Sequence, residues 1–131
     1  MEKKDLKPAG VFKYFEEICQ VPRPSKKEEK MIAYLKAFGA KHNLETKVDE
    51  AGNVLIKKPA TPGKENLQTV VLQSHIDMVC EKNNDVQHDF LTDPIETEID
   101  GEWLKAKGTT LGADNGIGVA TELAILAVDR S

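Results

Sequence analysis

The sequence predicts an α/β domain, a three-layer sandwich with helices on a mixed sheet. Three observations carry that reading. Two amphipathic helical segments open the chain, short β-patterned runs bounded by turn residues follow, and an apolar helical segment comes last. Residues 8–20 place Val11, Phe12, Phe15, Ile18 and Cys19 at helical spacing, and Pro8 suits a first turn. Val21-Pro22-Arg23-Pro24 breaks that helix, because each proline lacks a donor and restricts the residue before it. Ser25-Lys26-Lys27-Glu28 has the form of a capping box. The helix it opens carries Met31, Ile32, Leu35 and Phe38 on one face and ends within 39–43.

Strands are expected at 45–49 and 54–58, with Ala51-Gly52-Asn53 as a hairpin turn between them. Residues 59–66 form a polar loop. Residues 69–74 lack polar alternation until Gln73, the pattern of a strand buried on both faces. The charged stretch 81–94 belongs on the surface. Asp100-Gly101 lies between strand-like runs, so a second hairpin is expected over 96–107, with Trp103 packed against the core. A glycine-rich loop, 108–116, leads into an apolar helix at 117–128 carrying Val119, Ala120, Leu123, Leu126 and Ala127.

At 131 residues the chain fits one domain with a real core. Its net charge of −4, with lysines dispersed among acids, argues against a nucleic-acid partner. No apolar stretch approaches the roughly 20 residues of a membrane span, and the charged start Met1-Glu2-Lys3-Lys4-Asp5 is not a signal core. Two cysteines, Cys19 and Cys80, do not make a disulfide framework; both read as packed, reduced thiols in a cytoplasmic protein.

Chemistry concentrates in two places. His75-Ile76-Asp77 ends the apolar run 70–74, and Gly112-Ala113-Asp114-Asn115-Gly116 precedes the last helix. Both fall where α/β sheets place functional groups, at strand ends and before helices. Imidazole and carboxylate are usual ligands of hydrolytic zinc, and paired metals need a bridging carboxylate. In a regular strand His75 and Asp77 share a face, so Asp77 can accept from the imidazole and fix its tautomer. Each motif alone has a plainer account: a polar pair at a strand end, and Asp114 as a helix cap. Taken together they read as half of a two-metal hydrolytic site. His42 reads as solvated and His88 as a surface-loop residue.

The segment Val71-Leu72-Gln73-Ser74-His75-Ile76-Asp77-Met78-Val79 resembles the first metal motif of the co-catalytic zinc aminopeptidase/carboxypeptidase and aminoacylase family. His88-Asp89-Phe90, Asp93-Pro94-Ile95 and the stretch from Gly101-Glu102-Trp103-Leu104 to Thr110-Leu111-Gly112-Ala113-Asp114-Asn115-Gly116-Ile117-Gly118 narrow it to the aminoacyl-histidine (Xaa-His) dipeptidase branch. Val21-Pro22-Arg23-Pro24-Ser25 also resembles that branch.

The resemblance implies that His75 ligates one metal, Asp114 bridges two, and Asp77 is the supporting catalytic carboxylate. It implies two zinc ions, with cobalt or manganese also fitting nitrogen/oxygen sites, and hydrolysis of dipeptides by a metal-activated water. It implies a homodimer for the full-length enzyme. The family's general-base glutamate, neighbouring glutamate ligand, later aspartate and histidine, and lid domain have no counterpart in the sequence. Glu122 lacks the paired neighbour that the base would have. Residues 1–131 are therefore expected to be the N-terminal part of the metallopeptidase catalytic domain, inactive alone. Two alternatives stay open: a non-catalytic binding or self-associating domain, and a related tripeptidase or deacylase.

Overall fold

The structure, a computed structural model, describes residues 1–128; residues 129–131 of the expected domain lie outside the described residues. A 3₁₀ turn at Lys3–Asp5 precedes α1 (Ala9–Cys19), α2 (Glu29–Lys41), β1 (Glu45–Val48), β2 (Val54–Lys57), β3 (Thr97–Asp100), β4 (Trp103–Ala106) and α3 (Ala113–Ala127). The α/β class predicted from the sequence is what the chain adopts. The core forms where α1 and α3 pack together, with Phe15, Ile18, Val119, Ala120 and Leu123 buried between them. Met31, Leu35 and Phe38 extend it along α2. Gly10 faces Ala124 across this contact, where an added Cβ would stand 3.7 Å away, an ordinary van der Waals distance.

Both hairpins form where turn chemistry places them. In β1–β2, Glu45 pairs with Lys57 and Val48 with Val54. The Asp49 carboxylate accepts from the amides of Ala51 and Asn53, and Gly52 supplies the left-handed residue at φ 90°. In β3–β4, Asp100 pairs with Trp103 across Gly101, at φ 61°.

Four expectations are corrected. Among the described residues the strands form two separate antiparallel pairs rather than one mixed sheet. Residues 69–74 form no strand: Val70 and Val71 are 78% and 80% exposed and pair with no neighbour strand among the described residues. Apolar content specifies a buried strand only when ladder partners exist on its edges. Trp103 is 75% exposed, because the phase of β4 turns Leu104 and Ala106 inward and Trp103 and Lys105 outward. His42 is half-buried rather than fully solvated; its ring lies 4.4 Å from that of Phe38, and its Nε2 is buried without a partner among the described residues.

Candidate metal half-site at the Asp77 and Asp114 loops

The segment that follows His75 runs antiparallel to the segment that precedes Asp114. Asn83 donates its amide to the Gly108 carbonyl at 2.8 Å, and Thr110 donates its amide to Glu81 at 2.9 Å. The Thr110 hydroxyl adds a bond to the Val79 carbonyl at 2.8 Å. A bridge between Lys82 and Thr109 completes the pairing. Backbone pairing thus brings together two motifs that are distant in sequence.

On the other side, Pro24 and Met78 form a parallel bridge, and the Met78 amide donates to the Arg23 carbonyl at 3.0 Å. Arg23 is 2% exposed. Its Nη1 donates to the Ile76 carbonyl at 3.3 Å and its Nη2 to the Gly112 carbonyl at 2.7 Å. A planar guanidinium carries several fixed donors, so one side chain can hold two carbonyls at once. Burial lowers the Arg23 pKa, with neighbouring acidic groups working against it. Gly112, at φ 80°, and Gly116 make the room: a Cβ at either would stand 2.6 or 2.7 Å from Arg23 Nη2.

The three residues singled out from the sequence meet in this frame. His75 Nδ1 lies 3.1 Å from Asp77 Oδ1, and His75 Nε2 lies 3.0 Å from Asp114 Oδ1. The imidazole therefore spans two carboxylates, one from each motif. Contact with Asp114 is the first cause that raises the His75 pKa, with Asp77 adding to it. The Asp77 pKa is lowered first by the hydroxyl of Ser25, which donates to Oδ2, and then by His75.

Asp114 does not cap α3. Its side chain is 98% exposed apart from the His75 contact, its backbone is not helical, and the capping bond comes from Asn115, whose Oδ1 accepts from the Gly118 amide at 3.1 Å. Ser25 does not cap α2 either; Glu28 occupies the N-cap position, and the Ser25 hydroxyl serves Asp77 instead. Glu122 accepts from Ser74 Oγ at 2.9 Å and stands apart from the His75 cluster. His88 packs edge-on to Phe90.

Arg23 and Ser25 were missed as site residues in the sequence reading. Their sequence signal was weak: a lone arginine between prolines reads as a loop charge, and Ser-x-x-Glu fits a cap. The donor set suits one side of a metal site: an imidazole nitrogen and a carboxylate converge, and a second carboxylate orients the ring. Among the described residues no group of three or more His, Cys, Asp or Glu side chains is placed to hold a metal.

The chain is 52% identical over 126 residues, 96% of its length, to the cytosol non-specific dipeptidase of Escherichia coli. It matches the crystal structure of aminoacylhistidine dipeptidase from Vibrio alginolyticus with a TM-score of 0.94 and 54% identity over 98% of this chain. It spans 26% of the length of each of these proteins. A tripeptidase from Staphylococcus aureus shares the fold, with a TM-score of 0.71 at 21% identity over 89% of this chain and 31% of that one. No protein-family profile matches the chain.

Proposed function

We propose that this chain is the N-terminal part of the catalytic domain of a metal-dependent dipeptidase that acts on Xaa-His dipeptides in the cytoplasm, as a homodimer when whole. The observation that carries the reading is the imidazole of His75 held between carboxylates from two separate motifs, in a chain whose relatives are dipeptidases. No helix among the described residues is long and apolar enough to cross a membrane.

His75 Nε2 and the Asp114 carboxylate would hold the metal, and zinc fits a nitrogen/oxygen donor pair. When bound, the metal supplies a Lewis acid that polarises the scissile carbonyl and lowers the pKa of water. The chain's own residues then have separate tasks. Asp77 accepts the Nδ1–H of His75 and so fixes the tautomer that leaves Nε2 free as a ligand. Ser25 donates to Asp77 and favours its ionised form. Asp114, free of capping duty and exposed to solvent, would be available to a second cation as well. With metal absent, a proton on Nε2 would satisfy Asp114, and a cation held by the same two groups would take that proton's place.

The test pairs zinc titration calorimetry with hydrolysis of a His-containing dipeptide. The 131-residue chain is expected to bind zinc weakly and to turn nothing over. A longer protein that also supplies a glutamate base and further ligands is expected to hydrolyse the dipeptide, and to lose that activity in the His75→Ala or Asp114→Ala variant. Turnover by the 131-residue chain alone, or full activity of His75→Ala in the longer protein, would sink the reading.

A further inference from the structure

We infer that Arg23 is a positioning residue that sets the separation of His75 and Asp114 by clamping the backbones of both loops with one buried guanidinium. The inference rests on the reading of those two side chains as metal ligands for its purpose, but not for its geometry. The carbonyls that Arg23 holds belong to Ile76, next to His75, and to Gly112, two residues before Asp114. The same residue's own carbonyl receives the Met78 amide, so Arg23 touches the His75 loop at two points.

A buried guanidinium is costly unless its donors are used, and an aliphatic residue of that volume packs more cheaply. Arg23 lies 2% exposed and in no ion pair among the described residues; its donors meet backbone carbonyls, and the nearby Asp77 charge favours the guanidinium. Two glycines leave space for it: a methyl at Gly116 would stand 2.7 Å from Nη2 and 3.2 Å from Phe15. What this arrangement achieves is a second tie between the two loops, set nearer to His75 and Asp114 than the backbone pairing of residues 79–83 with 108–110. Ligands held more loosely by about 1 Å lose most of their preorganisation.

The experiment reads geometry directly, in the metal-free 131-residue chain, by the nuclear Overhauser cross-peak between the His75 ring protons and the Asp114 Hβ protons. Arg23→Lys keeps the charge and most of the volume but replaces the fork with a single ammonium. Methyl signals of Ile18 and Leu123 report whether the core stays folded. The expected result is a folded Arg23→Lys variant whose His75–Asp114 cross-peak is lost or weakened about fivefold or more. Tyr34→Phe, which removes the Tyr34–Glu17 hydrogen bond away from the loops, should keep the cross-peak. If Arg23→Lys does not fold, Gly116→Ala, which leaves Arg23 in place but crowds its guanidinium, gives the same reading. A folded variant with an unchanged cross-peak overturns the inference. So does a parent chain without the cross-peak, or its equal loss in Tyr34→Phe. Because no metal or substrate is present, failure of the dipeptidase reading would show in the activity assay and leave this result untouched.

Discussion

Single residues here have environments that make definite chemical forecasts. The hydroxyl of Ser25 is the first cause of the lowered Asp77 pKa, so Ser25→Ala should move the Asp77 titration upward when its carboxyl carbon is followed by NMR. The contacts of His75 with Asp114 and with Asp77 also set a pH window. Asp77 contributes stability above its ordinary 3.8 and loses it as pH falls through its lower folded value. His75 contributes below its ordinary 6.5 and loses it as pH rises through its higher folded value. The melting-temperature difference between the metal-free parent and His75→Ala should therefore peak near about pH 5 and shrink above about pH 7. It should be small, because both side chains are more than a third exposed. Cys19 is different. Burial pushes its thiol up to about 12, so iodoacetamide at about pH 8 should label Cys80 and spare Cys19 until the chain unfolds.

At the scale of elements, helix α2 meets strand β1 at Gly39, where an added Cβ would run into the Thr46 hydroxyl. Gly39→Ala should gain about 1 kcal/mol of helix propensity and lose about 1–3 kcal/mol to overpacking. A net loss in chemical denaturation is expected, and Thr46→Ala should restore part of it, the non-additivity marking the contact. Elements were the most legible part of the sequence. Helical spacing located α1 and α2, and the Ala51-Gly52-Asn53 and Asp100-Gly101 turns located both hairpins. Local chemistry settles such features. The stretch 69–74 was misread because strand formation depends on partners that periodicity does not reveal. Asp77 and Asp114 were legible as candidates because glycines and a neighbouring histidine are unusual company for a carboxylate. Arg23 and Ser25 were not, because their roles arise from contacts with residues 53 and 52 positions away, which no local pattern encodes.

For the molecule as a whole, Val70, Val71 and Leu72 form an exposed aliphatic run whose backbone joins no strand pair among the described residues. Such a run favours association with any complementary edge. The 131-residue chain should self-associate with rising concentration in analytical ultracentrifugation, and Val71→Lys should hold it monomeric. A chain that stays monomeric at high concentration with Val71 intact would argue against a sticky edge there.

The amide of Met78, bonded to the Arg23 carbonyl, ties an early turn of the chain to its middle, while the guanidinium reaches on to Gly112. Closing loops of that length is slow and entropically demanding, so these bonds can form only after α1 and α3 have found one another. The order of events on refolding then places the His75–Asp114 arrangement last. In native-state hydrogen exchange, the Met78 amide should open only with the global transition, whereas the amides of the β1–β2 turn should exchange through local fraying.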